Sequence, residues 1–579
     1  MNLHILSRRE LEFLLYEWLN IQQINDNPRF NLHNRETFDA ALDICEHIAR
    51  DLFLQSKTVS QARAEHQTDE AAQIKAAVRA FADAGMIAAS QEFALGGMQL
   101  PLTIQAAGLS YLLAANYRYA IYPLLTLATA NTVLRSANPQ QIERYGKALI
   151  SGKVLGTLAL SELDDGSNLA GVQCRAYLQA DGSYHLHGEK NWVMAAGHDY
   201  SENIFYLILA RIVGQDGKVI AGNAGVSLFL VPEYLEQPGG LESNQLQHQP
   251  LALNAGLAAE VYSNLILGQA NGEGATGYLL GSAHRGLVHI FATLNEIRLA
   301  LGLASSALAY RSYRSCLQLL NDDAASLSQP KFRSALLASK TYAEAAMALS
   351  LYCASLLDQE RYAESHERRQ QARLLSELLL PVAKAWSAQA AQKVTEWCES
   401  LVGLKIYQQD LVLMDLHQAI QLNKLQQGGT ENQAHDLLLR KIPMADGAAL
   451  ELLGLEIHKT MSQASKLPQF AGYAKELARV MQKLALLTQQ LNQEQERQRA
   501  LSLAPAYLEC FGDTMVAWLW LDQVLHCHQQ AGAEDAEFYH GKLQACRYYY
   551  RWQLPLTHGK LEPLLSLDNS IFEMQPEWF

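Results

Sequence analysis

The spacing of hydrophobic positions divides the chain into segments of different character. From residue 8 to about 150, apolar residues recur every three to four positions, as in RELEFLLYEWLNI, which predicts amphipathic helices. Between about 154 and 282 the pattern changes to short β-rich runs such as GVSLFLVP, separated by Gly, Asp and Asn. The helical period returns from 284 to about 445 and again after 447. The sequence therefore predicts a mainly α protein with a small central β domain.

These changes of pattern place the expected domain boundaries. The predicted domains are an N-terminal helical domain (1–153), a compact β domain (154–282), a helical bundle (283–446) and an appended C-terminal helical domain (447–579). A chain of 579 residues is long enough for three or four domains and for a large core.

Composition and charge exclude several classes of function. The chain is 49% hydrophobic and 18% charged, as in ordinary globular proteins, and its formal net charge is −13 with no run of Lys or Arg. We therefore expect no binding to nucleic acid or to an anionic membrane surface. No apolar run reaches the ~18 residues of a membrane span, and the N-terminus does not resemble a signal peptide.

Cysteine and histidine usage indicates neither a disulfide framework nor a metal site. The chain has eight scattered cysteines without a CxxC pair, which is typical of reduced thiols and predicts a cytoplasmic protein. His526, Cys527 and His528 are adjacent, so on a helix they point apart, and no second pair has ligand spacing. We predict no metal site.

The stretch LQQGGTENQAHDLLLRK, at residues 425–441, is a candidate ligand-binding turn. Gly428 and Gly429 permit positive φ and close approach of a ligand, while Thr430 and Gln433 fit a capping box that opens a helix over Asn432–Ile442. The N-terminus of such a helix suits an anionic or electron-rich ligand. The alternative is an ordinary turn between two helices.

Several motifs resemble those of the acyl-CoA dehydrogenase family, and the resemblance covers nearly the whole chain. LSELDDGSNLAG and GEKNWVM, within 158–199, are similar to the family's LxxTEPxxGSD turn and GxKxWIT strand. RLALGLASSAL (298–308), LLPVAKAW (379–386) and GGTENQAHDLLLRKI (428–442) resemble its Arg-led helix, its bundle helix and its YEGTxxIQ turn, and LGGMQLPLT (95–103) also matches. The chain looks most similar to the long subgroup that includes methylmercaptopropionyl-CoA dehydrogenases.

The resemblance implies an α domain, a β-barrel-like domain and an α bundle, with FAD as the cofactor. It also implies removal of two hydrogens from an acyl thioester, either acyl-CoA or an acyl chain on a carrier protein. A base takes the α-proton, flavin N5 receives a hydride from the β-carbon, and hydrogen-bond donors polarise the thioester carbonyl. Homo-oligomers formed through the helical C-terminal domains are expected by the same resemblance.

Specific residues match the family's flavin-binding and substrate-binding positions. Ser161, Gly166 and Ser167 stand where the TEPxxGSD turn contacts the flavin and the thioester arm, although Asp-Asp-Gly-Ser alone also fits a surface β-turn. Trp192 matches the aromatic residue that lies against the flavin, whereas an isolated strand tryptophan is more often core. The other matched positions are Met194, Gly403 and Thr430 for the cofactor, and Ser167, Arg298 and Gly428 for the substrate.

The sequence departs from the family pattern at the catalytic base. The usual glutamate of the YEGT turn falls at Gly428, and no carboxylate occurs from Leu416 to Thr430. Some relatives carry their glutamate just before the arginine that matches Arg298, but this position is Ile297. In addition, Met194 replaces a hydroxyl residue near flavin N5, and the family's pyrophosphate-binding arginine falls at Asp323.

Two nearby acids are candidate bases. Glu431 lies three residues, about one helical turn, beyond Gly428, although an acid in a first turn also simply complements the helix dipole. Glu296 lies two residues before Arg298, where it either pairs with that arginine or faces solvent.

Two hypotheses follow. The first is a flavin-dependent acyl-thioester α,β-dehydrogenase with an atypical base. The second is a catalytically inactive family member that acts as a scaffold or partner subunit, which the substitutions at the base positions would explain.

Overall fold

The structure, a computed structural model, describes residues 5–54, 67–162, 169–251, 262–268, 272–321, 329–404, 412–529 and 535–579. It is mainly helical with one β domain and C-terminal helices, which confirms the predicted fold class. In chain order the α-helices are α1 (Arg8–Glu12), α2 (Arg35–Ile48), α3 (Gln67–Asp83), α4 (Leu102–Ala115), α5 (Tyr117–Ser136), α6 (Pro139–Gln141), α7 (Lys147–Ile150), α8 (Gly286–Asn321), α9 (Pro330–Tyr362), α10 (His366–Val402), α11 (Leu413–Leu425), α12 (Thr430–Asp436), α13 (Ala448–Ser465), α14 (Pro468–Gln493), α15 (Arg497–Gln529), α16 (Ala536–Tyr548) and α17 (Leu554–Leu565).

Shorter helical segments and the strands complete the described chain. The π-helical segments are Phe13–Trp18, Ala49–Phe53, Ile142–Gly146, Leu437–Lys441 and Tyr549–Gln553, and the 3-10 segments are Ile21–Asp26, Phe93–Leu95, Asn223–Gly225, Met444–Gly447 and Pro576–Trp578. The strands are β1 (Leu155–Ala159), β2 (Arg175–Leu178), β3 (Tyr184–Met194), β4 (Ile204–Ile212), β5 (Val226–Pro232), β6 (Tyr234–Gln237), β7 (Gly240–Ser243), β8 (Leu246–Pro250), β9 (Tyr262–Leu267) and β10 (Ala275–Leu280).

The chain divides into two compact units. The β-containing unit comprises Glu36–Pro101 and Tyr111–Ile297, and the bundle unit comprises Met1–Arg35, Leu102–Ser110 and Arg298–Phe579. The division into four domains stays a prediction.

A small closed barrel forms the centre of the β-containing unit. Its strands follow the order β1-β4-β5-β10-β3-β9-β8, and β2 closes a ring because it pairs with both β3 and β4. β4 and β5 are continuous apolar runs that are buried along nearly their whole length, as strands covered on both faces must be. Tyr206 and Phe229 lie at the centre of this core and are fully buried.

Long helices and buried ion pairs hold the bundle unit together. Trp386 on α10 donates from Nε1 to Asp513 on α15 at 2.9 Å. Lys542 on α16 is fully buried and pairs with Glu10 on α1 at 2.7 Å and Glu344 on α9 at 3.2 Å. Because a buried ion needs an opposite charge, these contacts tie α1 and α16 to α9.

All eight cysteines are free and buried in the structure. One helix of the described residues, 286–320, is long and apolar enough to cross a membrane by length and composition, which the sequence-based prediction did not identify. Half of its most apolar window is buried inside the protein, as in the core helix of a bundle.

Candidate active site

The turn between α11 and α12 has two consecutive residues with positive φ. Gln427 has a φ of 54° and Gly428 a φ of 81°. A Cβ atom at Gly428 would lie 2.9 Å from the Cβ of Asn432, so this position requires glycine for both space and conformation. Helix α12 begins directly after it, with Gly429 as its N-cap residue.

The predicted capping box is wrong. Helix α12 begins at Thr430 rather than Asn432, and no side chain caps it. The reason is that the Gln433 side chain donates instead to the carbonyl oxygens of Gln427 and Gly428, at 3.1 and 3.3 Å. The Thr430 hydroxyl is buried and has no hydrogen-bond partner among the described residues. The hydrogen-bonding capacity of the Thr430 hydroxyl is therefore unused by the described residues.

Lys384, from the LLPVAKAW segment, holds the turn from behind. Its Nζ donates to the carbonyl oxygen of Lys424 at 2.9 Å and to that of Gly428 at 2.8 Å. The side chain is only 1% exposed, and burial, reinforced by repulsion from Arg298 and Lys424, lowers the pKa of Lys384 to about 7. Sequence reasoning did not assign it a role, although a lysine within an apolar helical run was a visible signal.

Arg298 is fixed to the helix that follows the turn. Its Nη2 lies 2.7 Å from Oδ2 of the buried Asp436, at the end of α12. Just before the turn, the buried Asn423 on α11 donates to the carbonyl oxygen of Leu301 and to the Ser305 hydroxyl, at 2.8 and 2.6 Å. Both contacts join α8 to the elements that carry the turn.

The two candidate bases lie in different environments. Glu431 is exposed in the first turn of α12. Glu296 is largely buried in the β-containing unit, where it accepts from Arg135 Nη1 at 2.6 Å and from Asn131 Nδ2 at 3.0 Å. The sequence pattern did not identify Arg135 as the partner of Glu296. These contacts use both carboxylate oxygens of Glu296, whereas Glu431 faces solvent.

In the β-containing unit, an ion pair fixes the segment that follows β1. The fully buried Lys190 of the GEKNW motif donates to Glu162 at 2.6 Å, and the backbone N–H of Asn191 donates to the carbonyl oxygen of Ser161 at 2.9 Å. Although burial opposes it, the pair with Lys190 and a hydrogen bond from the backbone of Gln173 lower the pKa of Glu162. Ser161 is thereby held in place.

Trp192 lies on a bulge rather than in the core. The register of β3 against β9 shifts between Lys190 and Val193, and Trp192 has a φ of 57°. Its side chain is 56% exposed and meets the Tyr262 ring edge-on at 6.2 Å. The core alternative for Trp192 is therefore wrong, and the bulge presents the indole at the surface of the β-containing unit.

The remaining predicted residues are accounted for as follows. Met194 is buried, and its carbonyl oxygen accepts from the Thr157 hydroxyl at 2.6 Å. Gly403 ends α10 with a φ of 62°. Gly166, Ser167 and Asp323 lie outside the described residues.

Family models match the C-terminal half of the chain. The model for "Acyl-CoA dehydrogenase, C-terminal domain" matches residues 284–441, and the model for "Acetyl-CoA dehydrogenase C-terminal like" matches residues 453–575. The first match includes the turn at Gly428.

Full-length relatives are also dehydrogenases by name. The chain is 28% identical, over 87% of each protein, to the broad-specificity linear acyl-CoA dehydrogenase FadE5 of Mycobacterium tuberculosis. It is 28% identical, over 81% of each protein, to the 3-methylmercaptopropionyl-CoA dehydrogenase of Ruegeria pomeroyi. Neither relative supports the alternative of an inactive scaffold.

Solved structures share the fold. An acyl-CoA dehydrogenase from Bacillus anthracis complexed with FAD has a TM-score of 0.75 at 15% identity, covering 97% of this chain and 93% of that one. Caenorhabditis elegans ACDH-11 in complex with C11-CoA has a TM-score of 0.73 at 18% identity, covering 99% and 92%.

Proposed function

Because this chain is a member of the acyl-CoA dehydrogenase family, we propose that it is an FAD-dependent oxidoreductase acting on acyl-CoA thioesters. It removes one hydrogen from the α-carbon and one from the β-carbon of the acyl chain. By the same family resemblance it works as a homo-oligomer, and its free cysteines favour the cytoplasm as its compartment.

The observation that carries the proposal is the pinned turn at Gly428. Its backbone is fixed by Lys384 and Gln433, while the Thr430 hydroxyl has no hydrogen-bond partner among the described residues. A rigid turn with free donors suits an electron-rich ligand, and preorganised donors are what polarise a thioester carbonyl.

The residues present fit FAD in two respects. In the bundle unit, the unpartnered hydroxyl of Thr430 offers one hydrogen bond. Taken separately, the exposed indole of Trp192 in the β-containing unit offers an aromatic face of the kind that a flavin ring packs against. Bound FAD supplies the two-electron acceptor. In the same unit as Trp192, the Lys190–Glu162 pair holds the segment that carries Ser161 near β1.

For proton removal, we assign Glu431 as the base in preference to Glu296. Glu431 is exposed one helical turn from Gly428, whereas both carboxylate oxygens of Glu296 accept hydrogen bonds. The backbone N–H of Gly428, which glycine retains, is the donor for the thioester carbonyl. A positioned base contributes roughly 10²- to 10⁴-fold to the rate.

The test combines a visible spectrum with turnover of the purified protein. We expect flavin absorbance and reduction of an artificial electron acceptor by acyl-CoA substrates. Glu431→Gln should lower kcat by about 10²-fold or more with flavin retained. Glu367→Gln, in the first turn of α10, is the matched control and should leave kcat unchanged.

Two outcomes would contradict these assignments. A colourless protein that does not take up FAD would overturn the redox proposal. Full activity of Glu431→Gln, in a protein that does bind flavin, would overturn only the choice of base.

A further inference from the structure

Helix α8 carries three polar side chains on one face that are not among the residues of the candidate active site. Arg311, Arg314 and Ser315 lie three and four residues apart, the spacings that bring side chains together on a helix. Arg311 is only 4% exposed and Arg314 is half-buried.

The electrostatic surroundings of Arg311 are unfavourable to its charge. Burial, followed by repulsion from Arg314, lowers the pKa of Arg311 to about 10. The charge that acts on it is thus another cation, and like charges at this helical spacing destabilise each other. A buried charge is normally paired, because it loses its hydration without compensation.

The hydrogen-bonding groups of this face also lack partners. Within the described residues, Nε of Arg311, Nε of Arg314 and Oγ of Ser315 are buried and make no hydrogen bond. By contrast Ser312, three residues before Ser315 on α8, donates from its hydroxyl to the carbonyl oxygen of Leu308 at 2.9 Å.

Other buried cations of this protein are satisfied. Arg211 donates to four backbone carbonyl oxygens. Lys190 pairs with Glu162, and Lys542 pairs with two glutamates. Among the described residues, Arg311 therefore lacks the kind of partner that Arg211, Lys190 and Lys542 have.

We infer that Arg311, Arg314 and Ser315 bind a phosphate group. Two guanidinium groups match the charge of a phosphate dianion, and the N–H donors of each planar group can form bidentate hydrogen bonds with its oxygens. The serine hydroxyl supplies a further donor. The phosphate belongs to a nucleotide such as CoA or FAD, or is free in solution.

The first experiment measures unfolding of the full-length protein in sodium pyrophosphate against sodium chloride at equal ionic strength. Pyrophosphate should raise the Tm of the wild type, and Arg314→Gln should weaken its apparent affinity at least tenfold. Arg479→Gln, an exposed arginine on α14, is the control and should respond as the wild type. Arg311→Gln should reproduce the loss.

A second readout excludes a merely structural role. Without pyrophosphate, Arg314→Gln should unfold at the same temperature as the wild type or higher, since it removes a repelling charge next to Arg311. An arginine that pairs with an acid from a second copy of the chain would instead lose stability and change the oligomeric mass, which would overturn the inference. Equal pyrophosphate effects on wild type and Arg314→Gln would overturn it as well.

Binding measurements on the wild type and Arg314→Gln identify the source of the phosphate. A tenfold loss for CoA but not for 3′-dephospho-CoA assigns the CoA 3′-phosphate, and a tenfold loss for FAD assigns the flavin diphosphate. If Arg314→Gln changes neither the CoA affinity nor the FAD affinity but abolishes the rise of Tm in pyrophosphate, the site takes free phosphate. None of these readouts requires redox turnover, so the inference stands or falls separately from the proposed activity.

Discussion

The Nζ atom of Lys384 lies 2.8 Å from the carbonyl oxygen of Gly428, so a buried lysine on α10 directly supports the turn at the centre of the candidate site. The same nitrogen also donates to Lys424, the penultimate residue of α11. Lys384 thereby bridges the two sides of the turn. Its role is to position Gly428 rather than to meet the substrate, because its side chain is shielded from solvent.

Replacement of Lys384 by methionine should release the turn. We expect kcat with an acyl-CoA to fall about tenfold or more, because a displacement of about 1 Å in a catalytic group can cost this much or more. Lys393→Met, on the same helix but partly exposed and paired with Glu509, is the control. Its loss of an exposed ion pair should cost less than about 1 kcal/mol and leave kcat unchanged. An unaltered kcat in Lys384→Met would remove the positioning role.

The stability of the protein should carry a pH signature of Lys384. Burial lowers its pKa to about 7 from an ordinary value of 10.5. Between these values the unfolded state binds more protons than the folded state, so this group makes the free energy of unfolding rise with pH. The methionine variant lacks this contribution. Urea unfolding of both proteins at several values between pH 7 and 10 should therefore show a difference that grows in favour of the wild type.

The pair of Lys190 and Glu162 should couple strongly. Breaking it with Glu162→Gln or Lys190→Met leaves a buried charge and should cost about 3–5 kcal/mol, whereas the double variant should lose less than the sum. The exposed pair of Lys153 and Glu202 is the control and should show coupling below about 1 kcal/mol. Urea unfolding of both double-mutant cycles measures the two couplings.

Acid should weaken the same pair. Since the pKa of Glu162 is lowered in the folded state, its contribution is present above the ordinary value of 4.5 and is lost as the pH falls through the lowered pKa. The destabilisation caused by Glu162→Gln should accordingly shrink when unfolding is measured at about pH 3. An effect independent of pH would show that the carboxylate charge is not what stabilises the segment.

Glycine at position 302 allows α8 and α10 to approach closely. A Cβ there would lie 3.0 Å from the carbonyl oxygen of Ala383, the residue before Lys384. Gly302→Ala should thus destabilise the protein by about 1–3 kcal/mol and displace Lys384, which supports the turn at Gly428. Gly454→Ala, in α13 with open space around it, should instead stabilise by up to about 1 kcal/mol. Thermal unfolding of the two variants should give opposite signs.

The fold could be predicted from the sequence because its signals are local. Periodic apolar runs mark α8, α9 and α10, and the continuous apolar runs mark β4 and β5. Partnerships between distant residues carry no such signal. The contact of Lys384 with Gly428 spans 44 positions, and that of Arg135 with Glu296 spans 161, so neither follows from spacing along the chain.

The capping box predicted at Thr430 was wrong for a related reason. Thr430 and Gln433 have the spacing of a capping box, but the positive φ of Gln427 and Gly428 turns backbone carbonyls toward Gln433. A backbone competitor of this kind is invisible in the residue pattern. The glycine at 428, by contrast, was informative, because its positive φ is what its residue type permits.

Substitution of Trp192 distinguishes a role in ligand binding from a role in stabilising the fold. Its φ of 57° is unfavourable for an L-residue with a bulky side chain, and its indole is mostly exposed. Trp192→Gly should relieve about 1 kcal/mol of strain and raise the stability of the flavin-free protein. Trp552→Gly, also an exposed tryptophan but in a helical segment, should destabilise by about 1 kcal/mol.

Flavin retention should change in the opposite direction to stability. If the Trp192 ring covers the flavin, Trp192→Gly should lower FAD affinity about tenfold despite the more stable protein, since a stacked aromatic ring contributes about 0.5–1.5 kcal/mol beyond its buried area. Trp552→Gly should leave FAD affinity unchanged. If Trp192→Gly raises stability without weakening FAD binding, the strained bulge does not serve cofactor binding. The strain would then have another purpose, since a backbone outlier persists only where the surrounding structure imposes it.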